Sequence, residues 1–386
     1  MRALQIALIV GACGVAAVTV ACGSTTQPRS RSGAGCRETK AVAAYALAIK
    51  TAMPLVRRLA AGIRAPGMSL AVAADGKIIW SVNCGYSNID AGRLVNDHTR
   101  FRIGSVSKTL TAAALMHYAA VGKVDLDAPI GRYLQSFPSH GGGITLRRLA
   151  GHLAGIRHYE TQFEAVNTRH FDSVAAPLAI FANDPLVAPP GTQFAYSSYG
   201  YDVIGAALER ATNESFETLM RQAVFAPADL NETTIATAPA GRRSSFYELT
   251  SSGKVRAAPA IDLSDRLPAG GLLSTARDLA RFGCALVDGT LVPAASARVM
   301  LTSQTTLAGT QTGYGIGVEV HASPFGTFVA HTGAVDGGTA GLLIHPRSRT
   351  ALALATNLGY ATADNPPPPR KGTPDPPVVL LPFIKR

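Results

Sequence analysis

Apolar residues recur along this chain with two different periods, and the order in which the periods appear outlines a fold. Ala41 to Ile63 has helical spacing interrupted by Pro54. Gly67 to Tyr86 then reads as two apolar strands joined at Asp75-Gly76, a dipeptide that favours a tight hairpin. From Ser105 to about Ala120 the spacing is helical again, with Leu110, Ala113, Ala114 and His117 on one side and Gly122 as the stop. The stretch from about 125 to 265 is mostly helices and Pro/Gly loops. Strand character returns at Tyr314 to His321, Gly326 to His331, Gly338 to Pro346 and Thr350 to Asn357. Strands at both ends with helices between predict an α+β fold: one antiparallel sheet built from both chain ends and flanked by helices, carrying an inserted, mostly helical subdomain.

The ends are different in kind. Met1-Arg2 precedes 19 uncharged residues, Ala3 to Ala21, which together read as an export signal over residues 1–22. Thr19-Val20-Ala21-Cys22 resembles the lipobox of bacterial lipoproteins, in which the cysteine is lipidated, although Thr19 replaces the usual Leu. Ordinary signal cleavage and an uncleaved anchor stay open beside it. The expected location is therefore exported, periplasmic or in the cell envelope, with membrane contact only through the N-terminus. Residues 23–40 are rich in Ser, Thr, Gly and Arg and read as a tether, so the folded domain is expected over 41–360. Residues 361–386 are dense in proline, which predicts an extended tail without a regular helix.

Composition narrows the function classes. Of 386 residues 47% are hydrophobic and 16% charged, a globular profile. The net charge is +11, but its basic residues come as scattered pairs (Arg57-Arg58, Arg147-Arg148, Arg242-Arg243, Arg370-Lys371), which gives nucleic-acid binding no support. Outside the signal stand Cys36, Cys84 and Cys284. Their odd number and wide spacing argue against a disulfide framework or a zinc site and leave one bridge open.

Ser105-Val106-Ser107-Lys108 opens a predicted helix, so hydroxyl and amine share one face, one turn apart. A serine needs a base to become a nucleophile, and lysine serves only when uncharged. Its unperturbed pKa of about 10.4 leaves about one lysine in two thousand neutral at pH 7. Burial that lowers the pKa by ~3 units would supply the base, so the site is expected to be enclosed. Ser251-Ser252-Gly253-Lys254 has the same spacing beside a glycine in a polar loop, and is read as a surface turn.

Phe101-Arg-Ile-Gly-Ser105-Val-Ser-Lys108-Thr resembles the first motif of the serine β-lactamase and penicillin-binding superfamily. Pro190-Gly-Thr-Gln-Phe194-Ala-Tyr196-Ser-Ser198 resembles its second, Tyr-x-Asn, and His331-Thr332-Gly333 its third, Lys-Thr-Gly, in the His form of the class C and esterase-like branch. Leu149 to Tyr159 and Ala269 to Phe282 extend the likeness, which is nearest the mitochondrial serine β-lactamase-like proteases. Tyr86-Ser87-Asn88 also fits Tyr-x-Asn but precedes Ser105 and lacks the Pro-Gly turn.

The resemblance implies an acyl-enzyme hydrolase acting on peptide, amide or ester bonds of small-molecule or peptide substrates, with a β-lactamase or a non-hydrolytic penicillin-binding or sensing module as the alternatives. Ser105, Lys108 and Tyr196 would be catalytic. His331, Thr332, Gly333, Ala334 and Ser198 would bind substrate, with the amides of Ser105 and Ala334 as the oxyanion hole. Ser198 stands where the family often has Asn, which puts efficient β-lactamase action in doubt. His331 in place of Lys implies an attraction for a substrate carboxylate that fades as pH rises. His158 is a candidate pocket wall, and His152 is read as holding a turn. No cofactor and no metal is implied. Relatives pack a C-terminal helix on the sheet, where this chain has prolines.

Overall fold

The computed structural model describes residues 35–138, 142–237, 241–250, 252–360, 373 and 375–384. The candidate signal, most of the tether and the proline run at 366–369 lie outside them. Among the described residues, no helix is long and apolar enough to cross a membrane.

Seven strands form the main path of an antiparallel sheet: β1 (Cys36–Ala41), β2 (Gly67–Ala74), β3 (Lys77–Asn88), β4 (Glu319–Ser323), β5 (Gly326–Val335), β6 (Gly338–His345) and β7 (Thr350–Thr356). Their order is β1-β3-β2-β7-β6-β5-β4, so both chain ends build one sheet, as the pattern predicts. At the β2–β3 turn Asp75 and Gly76 both have positive φ, 47° and 74°, the turn geometry that follows a strand pair's twist.

Alternation along β2 and β7 gives the sheet two unlike faces. Met68, Leu70, Val72, Leu352 and Leu354 point to one side, where α1 (Ala46–Ile63) covers them with Ile49, Val56 and Leu59. Ala71, Ala73, Ala351, Ala353 and Ala355 point to the other. Small side chains there let helices come close. A Cβ on Gly283 would lie 2.6 Å from the Ala351 Cβ, so the helix Ala276–Val287 sits almost on the sheet backbone. α2 (Val106–Ala120) fills the same layer and is buried nearly all round. α3 (Tyr199–Thr212) is the longest helix of the insertion, whose other described helices are short.

Four boundaries differ from the pattern. β1 occupies residues assigned to the tether, because Cys36 is disulfide-bonded to Cys84 and the strand pairs with β3. The domain therefore begins at Cys36 and not at 41. β4 begins at Glu319 and not Tyr314, since Gly313 and Gly317, at φ 72° and 74°, turn the chain first. β5 runs on past His331 to Val335. Finally, Pro376–Leu380 is a short helix, α4, inside the stretch expected to hold none. Its prolines stand at the first positions, where a missing N–H costs no bond. α4 and the turn after it pack on α1, and Phe383 stacks on Trp80 at 5.5 Å, so a short helix does cover the sheet.

Candidate active site

Ser105 caps the N-terminus of α2, following Gly104 at φ 50°. A Cβ on Gly104 would come 2.7 Å from the Ala334 nitrogen, and one on Gly333 would come 2.0 Å from the Ile103 carbonyl oxygen. Both positions need glycine for backbone to press on backbone. β4 pairs with β5 only as far as Ala330, so His331 to Val335 meets β6 on one side and leaves the other to the Ser105 turn. Thr332 and Ala334 are exposed there, and Gly333 is buried.

Lys108, one turn along α2, is fully buried. Its Nζ lies 3.0 Å from Ser105 Oγ, 3.0 Å from Ser198 Oγ and 2.9 Å from the Ala269 carbonyl. Burial lowers its pKa from 10.5 to about 7, with the buried carboxyl of Asp202 opposing and the Arg266 guanidinium assisting. A neutral amine has two hydrogens and one lone pair. Ala269 and Ser198 take the hydrogens, which leaves the lone pair to accept from the Ser105 hydroxyl.

Tyr196 completes the centre. Its hydroxyl is hydrogen-bonded to Ser105, and its ring lies 5.0 Å from Lys108 Nζ. Burial raises the phenol pKa, so Tyr196 holds its proton at neutral pH. Its loop is held by two histidines. His152, at φ 58°, accepts from the Ser197 amide through Nδ1 at 3.2 Å, which is the turn-holding role expected of it. His158 accepts from the Ser198 amide at 3.3 Å, stands exposed and sets its ring edge-on to Tyr196 as a wall of the site.

Two expectations change. Ser198 spends its hydroxyl on Lys108 and is only 4% exposed, so it positions the base and does not reach for substrate. His331 is 2% exposed with both nitrogens engaged: Nδ1 donates to the Thr332 carbonyl and Nε2 accepts from the Tyr314 hydroxyl. Burial lowers its pKa to about 4, with Lys108 adding to the effect, so it stays neutral from pH 5.5 upward. An imidazole kept neutral by burial has no charge to lose near pH 7, which speaks against a carboxylate attraction that fades there.

Other parts of the site escape the sequence motifs. Tyr314 reads there as strand, yet it props His331. Asp202, in the first turn of α3, is 1% exposed, and neither carboxylate oxygen has a hydrogen-bond partner. Burial and the neighbouring Asp265 raise its pKa well above the usual range. Arg266 pairs with Asp265 through two bonds at 2.8 and 2.6 Å and donates to the carbonyls of Glu164 and Ala165. An acid inside the apolar run Tyr199 to Leu208 was the signal available for Asp202. Among the decoys, Tyr86-Ser87-Asn88 sits at the end of β3, and Lys254 is exposed in a turn between two short strands. Among the described residues, no cluster of His, Cys, Asp or Glu has the makings of a metal site.

The Beta-lactamase family matches residues 54–371. The chain is 28% identical over 320 residues to the serine beta-lactamase-like protein LACTB, mitochondrial, of Homo sapiens, covering 64% of this chain and 57% of that protein. It is 29% identical over 317 residues to penicillin-binding protein 4 of Amycolatopsis lactamdurans, covering 77% and 82%. Among solved structures, a D-amino acid amidase from Ochrobactrum anthropi superposes with a TM-score of 0.70 at 24% identity, covering 83% of this chain and 94% of that one, a likeness of fold.

Proposed function

The chain belongs to the beta-lactamase family, and on that premise we propose that it is a serine hydrolase working through an acyl-enzyme on Ser105, with amide or peptide bonds ranked ahead of esters and β-lactams. The observation that carries this reading is the 3.0 Å contact from Ser105 Oγ to an amine whose other hydrogens are already bound and whose charge is discouraged by burial.

Lys108 takes the hydroxyl proton as Ser105 Oγ attacks the carbonyl carbon. The oxyanion forms against the Ser105 and Ala334 amides, a stabilisation of about 3 kcal/mol per donor. Tyr196 gives its proton to the leaving nitrogen, the C–N bond breaks, and the proton on Lys108 restores the phenol. Water then attacks the ester with the pair acting in reverse, releasing an acid and free Ser105. Because lysine and tyrosine exchange one proton, they titrate as a pair.

The neutral, enclosed His331 supports substrates that need no carboxylate clamp at that point. Preference for a carboxylate-bearing substrate over its amide should stay flat from about pH 5.5 to 8. A preference falling severalfold across that range would return His331 to a binding role. The Cys36–Cys84 bridge supports export to an oxidising compartment, and the mass of protein recovered from an envelope fraction would tell whether it begins at a lipidated Cys22.

The test is intact-mass spectrometry of wild type and Ser105→Ala after a fluorophosphonate and, separately, a penicillin. One adduct on wild type, absent from the variant, is the expected result. Its decay within minutes with penicillin would promote β-lactam hydrolysis. No adduct on folded wild type would sink the hydrolase reading.

A further inference from the structure

Most buried or half-buried arginines of this chain have a carboxylate beside them, among them Arg100, Arg157, Arg266 and Arg277. α1 is different. From Thr39 to Ala74 there is no Asp or Glu. Lys40, Lys50, Arg57 and Arg58 are exposed, and among the described residues none lies within ion-pair reach of an acid. On α1 the spacing places Leu47, Lys50, Pro54, Arg57 and Arg58 along the outer face, opposite the buried stripe Ile49, Ala52, Val56 and Leu59. Leu47 is 79% exposed.

Beside this face lies a groove of about 480 Å³, lined by Val42, Ala46, Ile49 and Met53 with Lys50 at its side and Glu38, which accepts from the Trp80 indole, at its β1 end. It opens next to β1, where the chain enters the domain. Thirteen residues, 22–34, separate that point from the end of the uncharged stretch Ala3 to Ala21, a reach of at most ~45 Å when fully extended. α1 also covers the sheet face opposite α2, so Ser105 opens away from it.

We propose that the outer face of α1 is a docking surface for an anionic lipid membrane. Its cations meet head-group phosphates, while Leu47 and the groove take up acyl chain. An acid-free cationic helix with an exposed apolar residue is the pattern that binds such an interface, and each cation near the surface strengthens binding severalfold. The catalytic cleft then faces the aqueous side.

The experiment is co-sedimentation of the full chain with vesicles of phosphatidylcholine alone and of phosphatidylcholine mixed with phosphatidylglycerol, at low and high salt. Wild type should gain binding on the anionic vesicles and lose the gain in high salt. Arg57→Glu/Arg58→Glu should cut that gain on the order of tenfold or more, while Lys123→Glu/Arg132→Glu, the same charge change on exposed residues elsewhere, should keep it. Retained acylation of Ser105 in both variants reports intact folding. The proposal fails if the α1 variant binds like wild type or if the control loses as much. It also fails if α1-dependent binding appears only on heparin and not on phosphatidylglycerol, which would make the partner a soluble polyanion.

Discussion

The two faces of the central sheet bury different things. Under α1 the layer is mainly apolar, from Met68, Leu70 and Trp80 to Leu352, Leu354 and Phe383, with His345, Thr350 and Thr356 as polar members. On the α2 side the core also encloses Lys108, Asp202, Asp265, Arg266, His152 and His331. Burying charges costs free energy that well-packed apolar groups would not. One face therefore supplies stability, and the other spends some of it holding a lysine nearly neutral.

Replacing the lysine should break that contrast most strongly. Lys108→Met is expected to lower acylation by about a thousandfold or more, since nucleophile and base act as a unit. Its stability effect has a definite sign. Between pH 7 and 10.5 the unfolded chain keeps a proton on Lys108 that the folded one has lost, so wild-type stability rises with pH across this window. The variant lacks that rise, and its stability relative to wild type should fall by ~3 kcal/mol from pH 6 to pH 9. Urea unfolding at both pH values measures it. A pH-independent difference would mean that the lysine is not desolvated.

On the apolar face the matching perturbation is Cys36→Ala/Cys84→Ala. The bridge closes a separation of 48 residues, for which loop-closure entropy predicts up to about 4 kcal/mol. The unfolding midpoint should drop while the rate of adduct formation per folded molecule stays constant. A change in that rate would show that the two faces communicate.

The smallest effect expected is the most informative about charge. kcat/KM should rise with pH through about 7 as Lys108 loses its proton. An ionised Asp202 favours the lysine ammonium, so Asp202→Asn should move this limb down by less than about one unit and raise activity slightly at pH 6. An unmoved limb would show that Asp202 keeps its proton throughout and that burial alone tunes the base.

The Ser105–Lys108 contact was legible because a covalent spacing fixes it: three residues along a helix put the two on one face wherever that helix lies. The Asp75-Gly76 hairpin was legible for a similar reason, since its backbone conformation is a property of a few adjacent residues. Tyr196 could be told from the decoy at Tyr86 by order and a Pro-Gly turn. Ser198 and His331 are expected to bind substrate, and in the structure their side chains bond to Lys108 and to Tyr314. Whether a side chain faces substrate or a neighbour depends on what the fold sets against it: for His331 the Tyr314 hydroxyl, 17 residues away, and for Ser198 the Lys108 amine, 90 residues away.

Sequence by itself determined the alternation of Leu and Ala that makes one sheet face thick and the other closely packed, the α+β order of elements, and the chemical identity of the proposed nucleophile and base. Only the tertiary structure decided that Cys36 reaches Cys84, that prolines begin a helix over Trp80, and that Asp202, Arg266 and Tyr314 surround the catalytic groups. The physical reason is range. Periodicity and turn preference are local, whereas desolvation and charge coupling are set by whatever the fold brings within a few ångströms, whatever its distance along the chain.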